Sequence, residues 1–322
     1  MVHRNRIVLA ALALTILNVP FTASSSDVAL TQGAMTYRWS ASSEADGGEA
    51  TVLDLPLTRT KVSAEVTGFI ARVTVQQFFS NPAEARIEAV YTFPLHANAA
   101  VHSSAIRIGD RLVVAEIKER EAAKKKYEKA KTAGKGASLL EQERPNVFTQ
   151  SVANIGPGEE IVVAIQYAQE LSYDDEVYTF SFPMTVGNRF IPGTPEGRSG
   201  LGTCDDTDIV PDASRVTPPL LPPELRSGHD IELEVVVRAG LPLVEIGSPS
   251  HEVFTQWEDS EEVRVSLDPA DRIPNKDFVL TYRTAGKGIE TALLTHRTGE
   301  EGTFLRMFQP PAESTGGEAE PK

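Results

Sequence analysis

Few residues in this chain have the types and spacing that chemistry needs. His96 and His102 lie close together in sequence, between two apolar alternating runs. A zinc or catalytic centre built on them needs at least a third ligand, with hydrogen-bonded support behind it. No HExxH, CxxC or third neighbouring histidine supplies one, so both read as loop histidines. His229, His251 and His296 are isolated and read the same way. Cys204 is the single cysteine, which excludes an intrachain disulfide. It reads as a loop thiol, because Asp205 and Asp206 beside it work against a reactive thiolate; an intermolecular or reactive thiol is the other reading. There is no GxSxG elbow, and Gly134-Lys135-Gly136 lacks the spacing and the Ser/Thr of a phosphate loop. No catalytic, cofactor-binding or metal-ligating residue is therefore assigned, and no cofactor is expected. Partner-binding residues are unassigned as well.

The most conspicuous charged feature is a lysine cluster at Lys124, Lys125, Lys126, Lys129, Lys131 and Lys135. It could dock an acidic partner, a polysaccharide or a phosphorylated surface. Glu119, Glu121 and Glu128 are interspersed and weaken any focused field, so a solvated helix face is the simpler reading. That helix runs from Lys118 to about Gly134, rich in Ala, Glu and Lys, with Gly134 and Gly136 as its stop. Ala123, Tyr127 and Ala130 share one face, which should bury Tyr127 on a sheet formed partly by Ile161–Tyr167.

Everything around the helix alternates with period two. Val62, Ala64 and Val66 change parity at Gly68 to Ala71, Val73 and Val75, which reads as a bulge or bend in one long strand. Asn81-Pro82 turns the chain into Ile87, Ala89, Tyr91 and Phe93. Gly109-Asp110 has the form of a tight two-residue hairpin. Val147–Ile155 and Ile161–Tyr167 flank Gly156-Pro157-Gly158 as a closing hairpin. Further strands are expected around Tyr178–Phe182, Ile231–Val237, Val263–Leu267 and Phe278–Tyr282, separated by a Pro-rich irregular stretch from Gly187 to Gly228. Thr291–Thr295 and Phe304–Phe308 form a last pair, apolar on both faces and joined by the turn-rich segment His296–Gly302.

At 322 residues there is room for two β-rich domains. The formal net charge of -14 argues against a nucleic-acid or anionic-membrane partner. His3, Arg4 and Arg6 precede the apolar run Ile7–Leu17, followed by small residues at Ala23–Ser26; this is the pattern of a cleaved signal peptide. Export to the periplasm, cell surface or medium is expected, with no membrane span after cleavage.

Two segments carry a family resemblance. GFIARVTVQQFFSNPAEARIEAVYTFPL and, beyond the helix, LLEQERPNVFTQSVANIGPGE resemble the VIT domain (vault protein, inter-alpha-trypsin). That module occurs in inter-alpha-trypsin inhibitor heavy chains, the vault-associated poly(ADP-ribose) polymerase and secreted bacterial proteins. The resemblance implies a mainly β fold: a VIT-type β-sandwich with one α-helix, followed by a second β-sandwich-like segment. The expected organisation is a signal peptide at 1–26, a loose lead-in at 27–53, the VIT domain at 54–172 and the second β segment at 173–285. A hairpin at 286–311 and a disordered tail at 312–322 complete it. In the bacterial relatives that hairpin leads into a von Willebrand A domain, whose Asp-x-Ser-x-Ser metal site has no counterpart here. The expected function is a non-enzymatic structural or interaction scaffold of the cell envelope. Its partner would be a protein, an extracellular matrix polysaccharide or a separate von Willebrand A domain. The competing readings are a hydrolase with its site in the 187–228 loops and a partner subunit of a von Willebrand A protein. A deep pocket with converging polar groups there would favour the enzyme.

Overall fold

Alternating Val, Ile and aromatic residues leave this chain little choice but strands that bury one face. The computed structural model describes residues 33–39, 51–96, 98–114, 120–135, 137–144, 147–184, 191–202, 204–217, 229–274, 276–284, 290–298 and 301–309. Residues 1–26 and 312–322, read as signal peptide and tail, lie outside them. The first strands are β1 (Ala34–Trp39), β2 (Thr51–Asp54), β3 (Leu57–Thr67), β4 (Ile70–Ser80), β5 (Ile87–Pro94), β6 (Ala100–Ile108) and β7 (Arg111–Val114). Helix α1 (Arg120–Thr132) follows, then β8 (Ala137–Arg144), β9 (Val147–Ile155), β10 (Glu160–Glu170), β11 (Ser172–Asp174) and β12 (Val177–Phe182). A short ribbon, β13 (Pro195–Gly197) with β14 (Asp206–Thr207), precedes the single turn α2 (Ala213–Val216). The last strands are β15 (Asp230–Arg238), β16 (Leu243–Gly247), β17 (Val253–Trp257), β18 (Glu262–Leu267), β19 (Phe278–Thr284), β20 (Glu290–Thr298) and β21 (Glu301–Gln309).

Three sheets share one core. The five-stranded sheet has the order β2-β1-β5-β9-β8, the eight-stranded sheet β17-β18-β15-β3-β4-β10-β6-β7, and the four-stranded sheet β11-β12-β19-β16. Met35, Tyr91 and Phe93 of the first, Val62, Val73, Ile165 and Val235 of the second, and Phe180, Phe278 and Tyr282 of the third belong to one buried cluster. Each such side chain contributes about 1.5–3 kcal/mol by leaving water. Two polar links cross the core. The Tyr91 hydroxyl donates to Gln77 Oε1, and Gln77 Nε2 donates to Thr60 Oγ1 at 3.2 Å. Gln150 Nε2 donates to Ser104 Oγ at 3.0 Å.

The mainly β class holds, and so does the Gly109-Asp110 hairpin, with Ile108 opposite Arg111. Several local readings change. Gly68 is not a bulge in one strand. It opens the two-residue turn of a full hairpin, Thr67 opposite Ile70, with φ at 60°. The parity change is what a two-residue turn does to the alternation. Nor do β9 and β10 pair with each other. The Gly156-Pro157-Gly158 turn carries the chain from the five-stranded to the eight-stranded sheet. Buried Asn81 holds that crossing, donating to the carbonyls of Ile155 and Gly156 at 3.3 and 2.8 Å.

The stretch read as a loose lead-in contributes β1, which sits between β2 and β5 with Met35 and Tyr37 in the core. The later segment also reaches back across the 172/173 boundary. β15 pairs in parallel with β3 over nine positions, Asp230 with Arg59 through Arg238 with Thr67. Among the described residues β20 and β21 pair with each other alone, extending to Thr298 opposite Glu301, so the turn is shorter than expected. On one face of that hairpin Leu293, Phe304 and Phe308 are exposed.

Candidate functional site

The outer face of the five-stranded sheet is floored by small hydroxyls. Ala34, Thr92 and Thr149 stand opposite one another across β1, β5 and β9, as do Thr36, Val90 and Ser151. Directly opposed residues of antiparallel strands project to the same face. Their neighbours in each strand, Met35, Tyr91, Phe148 and Val152, point into the core. Two walls rise over this floor, α1 on one side and the 199–217 segment on the other. Between them is an open cavity of about 620 Å³, within the range of about 300–1,000 Å³ typical of ligand sites.

The first wall is held at the helix end. Gly134, at φ 68°, lets its N–H reach the Lys131 carbonyl (2.9 Å) while Lys135 N–H reaches that of Ala130 (3.0 Å). This closure satisfies carbonyls that would otherwise lack partners. Asn154, on β9 with φ 62°, donates from Nδ2 to the carbonyls of Lys131 at 3.0 Å and Lys135 at 2.8 Å. Lys131 Nζ bonds Glu88 of β5 at 2.8 Å, and that hydrogen bond raises its pKa. Tyr127 lines the cavity, half-buried. Burial, followed by the charges of Glu88 and Glu128, pushes its phenol well above the ordinary range. The helix thus packs on β8 and the five-stranded sheet. The expected seat, the sheet containing Ile161–Tyr167, is the other one. The chain crosses between sheets after β9, and that arch puts β10 out of the helix's reach.

The second wall is a folded loop. Asp206 Oδ2 accepts the Ser199 N–H at 2.6 Å and Oδ1 the Ser214 N–H at 2.7 Å. Burial alone would raise this carboxyl, but the bonds from Ser199 and Ser214 outweigh it and hold the pKa at about 2. Ser214 Oγ accepts the N–H of Ser199 (3.0 Å) and of Gly200 (2.7 Å). A Cβ on Gly200 would lie 2.4 Å from the Ser214 carbonyl oxygen, so only glycine fits there. α2 packs on β8 and β9, with Arg215 facing Glu141 at 3.7 Å, and Arg38 of β1 donates to the Gly200 carbonyl at 3.3 Å.

The cavity is lined by the cations Arg38, Arg86, Lys131 and Arg215 and the carboxylates Glu88, Glu128 and Glu141. Of these positions only Lys131 and Glu128 were singled out from sequence, and Lys131 turns inward to line the cavity. Lys125, Lys126, Lys129 and Lys135 are exposed, in keeping with a solvated face. Arg38 and Arg86 gave no signal because they converge only through the sheet. The left-handed Asn154, an Asn interrupting an alternating run, was a signal that could have been read.

Among the described residues no histidine lines the cavity. His96 Nδ1 lies 2.5 Å from Asn98 Oδ1 in the β5–β6 connection, and His102 is exposed on β6. His229 and His251 are buried beside β15 and β17, and His296 lies on β20. Among the described residues no group of three His, Cys, Asp or Glu side chains could hold a metal. Cys204 is half-buried, its N–H bonded to Thr217 Oγ1 at 3.2 Å.

Fold and groove define a β-rich module with an open cavity of mixed polar and apolar lining on one sheet face. Residues 57–167 match the family described as the Vault protein inter-alpha-trypsin domain, and this segment is a VIT domain. Mouse protein mono-ADP-ribosyltransferase PARP4 is 38% identical over 138 residues, which are 43% of this chain and 7% of that protein. Rat von Willebrand factor A domain-containing protein 5A is 30% identical over 139 residues, 42% of this chain and 17% of that protein. A von Willebrand factor A domain-containing protein of Dictyostelium discoideum is 31% identical over 115 residues, 34% of this chain and 12% of that protein. The chain spans less than a fifth of each of these relatives. β5, β8, β9 and α1 fall inside the matched segment; β1 and the 199–217 wall fall outside it.

Proposed function

We propose that this chain is an exported, non-enzymatic interaction protein and that the groove is the seat of its ligand. The observation that carries the reading is the groove's chemistry. It offers ion pairs, guanidinium groups and hydroxyls, but no activated nucleophile. Buried Ser214 has its Oγ engaged by two backbone N–H groups, and no imidazole lines the cavity. Nucleophilic catalysis asks for a base within hydrogen-bond reach of the attacking oxygen. The von Willebrand factor A relatives support an interaction role, with a protein, a matrix polysaccharide or a separate von Willebrand A domain as partner class. The similarity to an ADP-ribosyltransferase covers too little of that enzyme to bring its activity here. Export rests on the charged start and the apolar run Ile7–Leu17.

One observation favours the hydrolase as a second reading: the groove is walled by the loops in which such a site was expected. Ligand-observed NMR with a mixture of oligosaccharides and peptides separates the two. Wild-type protein should show saturation transfer to some components without converting any. Ser151→Trp, which fills the floor from the outer face, should abolish the transfer at an unchanged melting temperature. Conversion of a component by the wild type would establish the enzyme.

A further inference from the structure

We infer that the groove selects a short acidic oligosaccharide, recognised through its ring hydroxyls and a ring carboxylate. The inference rests on the groove being a ligand seat and goes on to name the ligand class.

Peptide is the poorer fit. An extended peptide gains affinity by pairing with a free sheet edge or by anchoring apolar side chains in pockets. The floor here is the middle of a sheet, where β1, β5 and β9 already pair with one another. On that floor Thr36, Thr92, Thr149 and Ser151 supply hydroxyls beside Ala34, Arg38, Glu88 and Val90, and Ile87 and Leu201 are the other large aliphatics that line the cavity. Hydroxyls both donate and accept, as sugar hydroxyls do. Those of Thr92 and Ser151 have no hydrogen-bond partner among the described residues. Tyr127 adds an aromatic ring beside the floor, suited to the apolar face of a sugar.

Charge decides between neutral and acidic sugars. Lys131 is paired with Glu88 and Arg215 faces Glu141. Arg86 has no ion-pair partner among the described residues, and the bond that Arg38 makes is to the carbonyl of Gly200. Two guanidinium groups are thus available against one carboxylate, Glu128, and a guanidinium presents its donors in the fork that a carboxylate fits. The net charge of -14 repels a long polyanion, which favours a short chain or its terminus.

Isothermal titration of the mature protein with trigalacturonate at low salt tests the assignment, with maltotriose and triglutamate as the neutral and peptide probes. Trigalacturonate should bind, maltotriose about tenfold more weakly, and triglutamate not measurably. Arg86→Ala should weaken trigalacturonate about tenfold and leave maltotriose unchanged. Thr92→Val combined with Ser151→Ala should weaken both sugars, with the melting temperature as control. Equal binding of the two sugars would overturn the carboxylate assignment, and triglutamate binding as tightly as trigalacturonate would overturn the saccharide. If trigalacturonate fails to bind while another mixture component binds in a Ser151→Trp-sensitive way, the ligand class is wrong and the groove reading survives. If nothing binds in that way, both fail.

Discussion

Asn154→Ala removes the fastening that sets the helix wall of the groove. Its Nδ2 gives two hydrogen bonds to carbonyls at the end of α1, each with a net contribution of about 0.5–1.5 kcal/mol. Alanine must also adopt the left-handed φ of 62°, which costs roughly 1–2 kcal/mol more. The loss should be about 2–5 kcal/mol, a large part of the ~5–15 kcal/mol that stabilises a typical domain. Asn154→Gly tests the partition, since glycine accepts the backbone conformation and loses only the bonds. Urea unfolding at neutral pH should place Gly between wild type and Ala. Amide exchange in residues 120–135 should accelerate in both variants, while that of β10 does not. An Ala variant within about 0.5 kcal/mol of wild type, or an α1 that exchanges no faster, would show that Asn154 does not hold the helix.

Three further perturbations probe other parts of the account. Gln77→Ala leaves the Tyr91 hydroxyl and Thr60 without their shared buried partner and should cost about 1–3 kcal/mol or more in chemical denaturation. Gly200→Ala drives a Cβ into the Ser214 carbonyl; limited proteolysis should then cut within 199–217 while the melting temperature changes little. Burial holds the His229 imidazole down at about 4, the nearby Asp230 charge acting the other way. As pH falls from about 6.5 to about 4 the unfolded chain binds a proton that the folded protein refuses, so stability should drop by about 3 kcal/mol in urea titrations. His229→Asn should flatten that slope.

The strands were legible because their alternation is uninterrupted. Val62–Val66, Ile161–Tyr167, Ile231–Val237 and Phe278–Tyr282 all bury the faces their spacing predicts. Partners were less legible than strands. Alternation says which face a strand buries, not which neighbour it takes, so the parallel union of β15 with β3 was invisible across more than a hundred residues. The same limit misplaced the helix: Tyr127, expected to bury its ring on the sheet of Ile161–Tyr167, is half-buried and lines the groove instead, because the sheet beneath α1 depends on an arch that resembles a hairpin in sequence. The groove was least legible. Its floor is the polar half of β1, β5 and β9, which alternation marks merely as outward. Its second wall comes from a Pro-rich stretch whose order depends on Asp206 and Ser214 gripping backbone N–H groups. Ionic spacing could not show Arg38, Arg86 and Arg215 converging from three distant segments.

Hydrogen–deuterium exchange, with and without whichever mixture component binds the wild-type protein, tests the central claim most directly. A ligand seated in the groove should slow exchange in peptides covering residues 120–135 and 199–217 together, and Ser151→Trp should abolish both effects. Protection confined to the exposed hairpin at 290–309, or to the edge strands at 111–114 and 253–257, would place the interaction elsewhere and contradict the account.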